Sequence, residues 1–318
     1  MKTKLIVHPH ELDTAWIDKM TALGVDTLGI HPAGGQTSHE NVANDLALFE
    51  CPDFQSLVDY AHAKGLSVVY ELHVARYLLP SALFSTHPDW FRMNEQGKRV
   101  ADFNFCVTNT EAMEFISQRA IELTERLYGS AKDYFLWLDD VSGRFCHCPR
   151  CRSLSPSDQN LTAMNAIVTA LRKKDPHARL AYLAYYEGVR PPTRVKPADG
   201  IFLEYAPFER YYPRQTPRPI NDDDRAELEA LLTVFEPKDA WILEYWFDNS
   251  YYTRRAESEH PIPFCPDNDR IKREMQWYVE RGVGQLSSFA CFLGKSYQEK
   301  HGTPDLSAFN KKNIGEYL

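Results

Sequence analysis

The chain has no apolar run of bilayer length, which excludes a helix that spans a membrane. It has no surplus of basic residues: 36 Lys and Arg stand against 44 Asp and Glu, a net charge of −8. Nucleic acids and anionic membranes recruit basic surfaces, so neither is expected as a partner. Met1 is followed at once by Lys2, Lys4 and a short strand-like stretch rather than a long apolar segment, so no secretory signal is read and a cytoplasmic location is expected. Neither a Gly-x-Gly-x-x-Gly fingerprint nor a Walker loop occurs, which argues against a doubly wound nucleotide-binding sheet. Low-complexity tracts, repeats and a composition break that would divide the 318 residues are absent too.

What is present is apolar and periodic. Hydrophobic residues make up 43% of the chain, enough for a large core, and aromatics 13%. The aromatics serve core packing or offer stacking platforms for a flat ligand face such as a sugar ring. Eight short apolar runs recur, at 4–7, 26–31, 67–73, 134–140, 180–187, 200–208, 240–248 and 285–292. Most are separated by helix-like spacing, as in Leu12, Trp16, Met20 and Leu23 closed by Gly24. Helices are likewise read at 110–127, 160–174, 222–235 and 270–281, with a last helix or tail at 305–318. Eight such units in series predict a single α/β domain over 1–318, a (β/α)8 TIM barrel. A long polar and aromatic connection at 74–109 and a Cys-rich loop at 141–160 interrupt it, and insertions of that length usually carry function.

In such a barrel the C-terminal strand ends form the site. The runs end on His8, His31, Glu71 and His73, Asp139 and Asp140, Glu187, Glu204, and then Glu244, Trp246 and Asp248. Side chains alternate faces along a strand, so Glu244, Trp246 and Asp248 share one, as do Glu71 and His73. The face toward the helices is expected to be apolar, which sends these polar residues inward to the mouth.

The acid pair at 139–140 is followed by Cys146-His147-Cys148-Pro149-Arg150-Cys151. Three thiols this close read as a metal site, and tetrahedral zinc wants four ligands. The fourth is Cys106 in the long loop after the third run, or His147 within the cluster, with Cys106 the better placed. A four-thiolate site is closed and therefore structural. The alternative is three reduced surface thiols without metal. Cys51, Cys265 and Cys291 are expected to be ordinary buried residues.

At these residues the chain resembles glycoside hydrolase family 42, the β-galactosidases with a (β/α)8 catalytic domain. The resemblance lies in Pro88-Asp89-Trp90, Gly97, Phe105-Cys106-Val107, the acid pair and the Cys-x-Cys-x-x-Cys motif, roughly residues 85 to 152. It is also similar to an uncharacterised group of hydrolase-like barrels with the same acids and cysteines. Many family 42 enzymes hold zinc with one cysteine after strand three and three after strand four. The resemblance implies Cys106, Cys146, Cys148 and Cys151 as ligands, Asp140 as the general acid/base, and Glu244 as the nucleophile or base. Where that family has Asn-Glu, this chain has Asp139-Asp140. Adjacent acids are similar to the Asp-Glu pair of family 20 hexosaminidases, whose first acid orients the substrate.

The implied activity is hydrolysis of a glycosidic bond by paired carboxyls, one delivering a proton and one opposite. Asp139 beside Asp140 is expected to raise one pKa if both face the same dry region. Contacts to a carbohydrate substrate are expected from His73, Glu204, Trp137, Tyr205, Trp246 and Asp248, with Glu204 and Asp248 as reserve carboxylates. A non-catalytic carbohydrate-binding barrel is the alternative suggested by the missing Glu. A metal-dependent, amidohydrolase-like barrel is a third reading, suggested by the His8-Pro9-His10 spacing and by His31 and His73. A homo-oligomer is compatible with all three.

Overall fold

The computed structural model describes residues 1–211, 217–251 and 263–311. The last part of the expected C-terminal helix or tail, 312–318, lies outside them.

Eight parallel strands close into a ring in sequence order: β1 (Lys2–Val7), β2 (Thr27–Ile30), β3 (Ser67–His73), β4 (Asp133–Trp137), β5 (Arg179–Ala184), β6 (Ile201–Tyr205), β7 (Trp241–Glu244) and β8 (Gln285–Phe289). β8 pairs with β1, with Lys2 opposite Gln285, and this contact completes the (β/α)8 barrel. Every apolar run of the sequence overlaps one of these strands.

The helices follow from local chemistry. α1 (Thr14–Leu23) starts where Asp13 accepts from the Trp16 N–H at 2.9 Å and stops at Gly24, whose φ of +73° suits a residue without Cβ. It buries Trp16, Ile17 and Met20 on one stripe against the barrel. Two helices follow β2, α2 (Ser38–Phe49) and α3 (Pro52–Ala63). Within the long connection after β3 sits the single turn α4 (Ala75–Leu78), ahead of α5 (Thr110–Arg126). α6 (Pro156–Lys174) opens with a Ser155–Asp158 capping box. α7 (Asp222–Leu231), α8 (Asn268–Glu280) and α9 (Lys295–His301) follow β6, β7 and β8.

Two details depart from eight equal units. The sequence reading overlooked α2. Between β5 and β6 the described chain has no α-helix, only a 3-10 turn at Tyr186–Val189. Pro191, Pro192 and Pro197 explain this, since proline cannot donate to a helical ladder. The segment is pinned instead by Asp158, whose carboxylate accepts the N–H groups of Thr193, Arg194 and Val195 at 3.0, 2.8 and 3.0 Å.

Strand parity separates the two cores. Leu5, Val7, Leu28, Ile30, Tyr70 and Leu72 face the helices. Ile6, Val69, Phe135, Trp137, Phe202, Trp241 and Leu243 fill the barrel. Among the latter lies a fully buried cation, Lys4, paired with Glu71 and with Glu204 at 3.1 Å, its ammonium 3.7 Å from the centre of the Phe135 ring. A buried charge is tolerable only when paired this way.

Candidate active site

At the C-terminal ends of the strands the barrel opens into a cavity of about 710 Å³. Among the described residues two carboxylates reach it, Asp140 after β4 and Asp248 after β7. Asp140 accepts from the Tyr185 hydroxyl at 3.0 Å and from the Gly35 N–H at 2.5 Å. The glycine-rich loop after β2 is what allows the second bond. A Cβ on Gly34 would stand 2.7 Å from Asp140 Oδ2, and Gly35 has φ +87°. Asp248 accepts from Ser250, from its N–H at 2.9 Å and its hydroxyl at 2.6 Å. The Tyr245 phenol lies in the field of both acids. Burial holds its proton well above the usual tyrosine range, and the Tyr251, Asp140 and Asp248 charges reinforce this.

Asp139 does not share that space. Its carboxylate turns back into the loops, accepting from Asn104 N–H at 2.8 Å and Arg76 N–H at 3.2 Å, with the Arg76 guanidinium at 3.6 Å. Asn104 returns the contact, its side-chain oxygen accepting from Asp139 N–H at 3.0 Å. Asn104 holds φ +50° to do so. The Asp139 carboxyl is raised above the ordinary range by its burial, opposed by these hydrogen bonds. Burial, rather than repulsion by a neighbour facing the same way, dominates that rise.

The structure brings together Asp140, His73, Trp137 and Asp248 on the cavity wall. It takes Glu244, Tyr205 and Trp246 elsewhere. In β7 and one step past it the inward residues are Trp241, Leu243 and Tyr245. Glu244 therefore points outward, fully buried in the helical shell, where it pairs with Arg210 and accepts from Tyr211 at 2.6 Å and Tyr278 at 2.5 Å. Trp246 donates to Glu274 at 2.8 Å in the same shell, and Tyr205 donates to Glu227 at 3.3 Å. The expectation that the outer face would be wholly apolar fails here because Arg210 neutralises that acid. Glu204 points inward but lies below the cavity, accepting from the Trp137 indole at 3.0 Å and pairing with Lys4.

Sequence reading did not single out Tyr185 and Tyr245, or the aromatic wall that Tyr186, Phe208 and Tyr251 add to them. Their signal was positional: Tyr185 and Tyr245 sit one step past β5 and β7, on the inward parity of the strand before them.

Cys106, Cys146, Cys148 and Cys151 come together with their sulfurs within 4.8 Å of one another, all buried, and this group could hold a metal. Cys106 Sγ lies 3.7 Å from Cys148 Sγ and 3.8 Å from Cys151 Sγ. His147 instead faces Glu95 at the surface, 3.3 Å away. Of the remaining cysteines, Cys291 is buried as expected, whereas Cys51 is half-buried and Cys265 exposed. Among the described residues one other group lies close enough to share an ion, His8 with Glu11 and Cys291. There Glu11 is occupied by the N–H groups of Phe292, Leu293 and Gly294 at 2.9, 3.0 and 2.9 Å. Among the described residues His31 and His73 belong to no such group, so the three histidines do not form a shared ligand set.

A closed ring of eight parallel strands, with acids, imidazoles and aromatic rings at its C-terminal mouth, defines a (β/α)8 barrel of the architecture used by glycoside hydrolases. By sequence the chain belongs to the family described as Domain of unknown function (DUF4838), which matches residues 52–290. No curated protein matches it. Similar solved structures include a protein described as a glycoside hydrolase, 12% identical, with 100% of this chain and 98% of that one covered and a TM-score of 0.54. A GH5 xyloglucanase from Bacteroides ovatus is 14% identical over 96% of this chain and 68% of its own, with a TM-score of 0.53. A cold-adapted β-galactosidase from Rahnella is 11% identical over 100% of this chain, with a TM-score of 0.53, and this chain spans 55% of its length. At these identities the likeness is one of fold. No helix among the described residues is long and apolar enough to cross a membrane.

Proposed function

We propose that this protein is a glycosidase in which Asp140 is the general acid/base and Asp248 the opposing carboxylate. The observation that carries the reading is that these two acids open onto one cavity, with the Tyr245 phenol in the field of both. Cleavage of an acetal needs a proton donor at the leaving oxygen and a second carboxylate for the developing oxocarbenium ion or for a water. Tyr185 and Gly35 fix the direction of Asp140, which fits a group that must meet one oxygen. Asp139 serves as a positioning residue, holding the strand end through Asn104 and Arg76. Trp137, Tyr185 and Phe208 supply faces against which a sugar ring can lie. Glu244, the nucleophile implied by resemblance, has no route to the cavity and is assigned a structural role.

The thiol cluster fits zinc. Tetrahedral zinc at about 2.3 Å from each sulfur separates the sulfurs by about 3.8 Å, which matches the spacings from Cys106. Such an ion would bind the 74–109 loop to the loop after β4 and leave no open position for substrate, so its part is structural.

The test is release of chromophore from a panel of aryl glycosides by the purified protein. Turnover supports the reading. Binding of sugars with no cleavage of any glycoside would favour the carbohydrate-binding alternative.

A further inference from the structure

Three consecutive strand ends carry an imidazole, and each is fixed the same way. His8 Nδ1 lies 2.8 Å from the His31 carbonyl, His31 Nδ1 lies 2.7 Å from the Glu71 carbonyl, and His73 Nδ1 lies 2.6 Å from the Leu138 carbonyl. A carbonyl oxygen can only accept, so in each ring Nδ1 carries the hydrogen. Each histidine thus reaches one strand onward, and the three form a stair along one side of the mouth. Successive ring centres are 6.3 and 5.8 Å apart. Packing holds the rings in place: His31 sits edge-on to Phe289 at 5.1 Å, and His73 edge-on to Trp137 at 5.0 Å.

In the neutral ring this arrangement leaves Nε2 as a bare acceptor. All three histidines line the cavity. His31 Nε2 lies near Asp140, since a Cβ on Gly34 would be 3.8 Å from the one and 2.7 Å from an oxygen of the other. Burial, with the neighbouring His73 and His8, keeps the His31 imidazole well below its ordinary pKa and so uncharged.

We infer that His8, His31 and His73 form a wall of hydrogen-bond acceptors that recognises a pyranose by the free hydroxyls along one edge of its ring. A hydroxyl donates readily to such a nitrogen. The ligand class is therefore a pyranose with adjacent free hydroxyls that donate to the wall. This inference rests on reading the cavity as a sugar site, and it is independent of whether the bond is cleaved.

The experiment measures binding of free sugars, so that no turnover intervenes. Glucose, galactose, mannose and N-acetylglucosamine are titrated into the full chain by NMR or calorimetry. The best binder is then compared with its monodeoxy, deoxyfluoro and mono-O-methyl derivatives. Fluorine keeps the size of a hydroxyl but cannot donate, so at the positions read by the wall all three derivatives are expected to bind more weakly, the deoxy and fluoro ones by about three- to tenfold. His31→Phe and His73→Phe should weaken the parent sugar similarly and flatten the difference between it and its matching deoxy form. His31→Gln, which restores an acceptor oxygen, should recover part of the loss and guards against a folding defect. Failure of all four sugars to bind overturns the inference. So does a fluoro derivative that binds as well as its parent at every position, or a His→Phe pair that leaves affinity unchanged. Binding in the expected pattern without cleavage of any glycoside leaves the wall standing and removes the hydrolase reading.

Discussion

Arg210 and Glu244 form an ion pair with both side chains fully buried, outside the barrel wall and behind β7. The pair is completed by Glu274, which Arg210 also holds, and by the Tyr211 and Tyr278 hydroxyls. Removing Arg210 strands the carboxyls of Glu244 and Glu274 in a dry shell, which costs about 3–5 kcal/mol. Arg210→Met is expected to lower stability by that amount in denaturant unfolding, and Glu244→Ala by less, because Arg210 keeps its pair with Glu274. The fraction that remains folded should keep its turnover on a responsive glycoside. A stable, inactive Glu244→Gln protein would return Glu244 to the chemistry.

Gly34 touches the acid from the other side of the mouth. A methyl group there collides with Asp140 Oδ2 and breaks the Gly35 contact. Gly34→Ala is expected to fold normally and to lose turnover by about 10²-fold, as a displacement of about 1 Å does to a positioned catalytic group. Unchanged kcat would mean that the Gly35 bond does not aim Asp140.

The four thiols should behave as one unit. About one zinc per chain is expected by elemental analysis, and Cys106→Ser should lower that content and the melting temperature together. Because Asn104 stands two residues before Cys106 and clasps Asp139, loss of the metal should also loosen the end of β4. Free thiols that react at once with a thiol reagent, in protein as stable as before, would argue for a metal-free cluster.

Glu204 sets an expected pH dependence of stability. Its burial pushes the carboxyl up to about 8, with the Lys4 ammonium opposing and Glu71 reinforcing the rise. An acid whose pKa is higher in the folded than in the unfolded chain binds the extra proton when folded. Stability therefore falls as pH climbs from the ordinary Glu value of 4.5 toward about 8. Glu204→Gln should flatten that decline between pH 5 and 8 in urea titrations. A wild-type stability that rises across the same window would contradict the placement of the proton.

The barrel was legible because its signal is simple: eight greasy runs whose ends are polar. Cys106 was legible as the fourth thiol because the loops after β3 and β4 open on the same face. What the sequence concealed was direction. Glu244 and Tyr245 are adjacent, and parity alone does not say which faces the cavity. The answer depends on Arg210, 34 residues away, which makes an outward acid tolerable. Likewise Asp139 and Asp140 look like a repelling pair in one dimension. Their carboxylates diverge only because Asn104 and Arg76 hold one and the Gly34–Gly35 turn holds the other. The histidine stair was invisible for the same reason, since each rung is a bond from a ring to the backbone of the following strand. His8, His31 and His73 suggested metal ligands through the His8-Pro9-His10 spacing and their places at strand ends, whereas their bonds to backbone carbonyls fit the hydroxyl recognition proposed above.

The central claim is that Asp140 and Asp248, and not Glu244, carry the chemistry. It is tested most directly by single-turnover and steady-state rates of Asp140→Asn, Asp248→Asn and Glu244→Gln on one activated aryl glycoside, with folding checked by circular dichroism. The expected result is a loss of at least about 10²-fold in both aspartate variants and near-normal rates per folded molecule in Glu244→Gln. Full activity in either aspartate variant, or loss confined to Glu244→Gln, would contradict it.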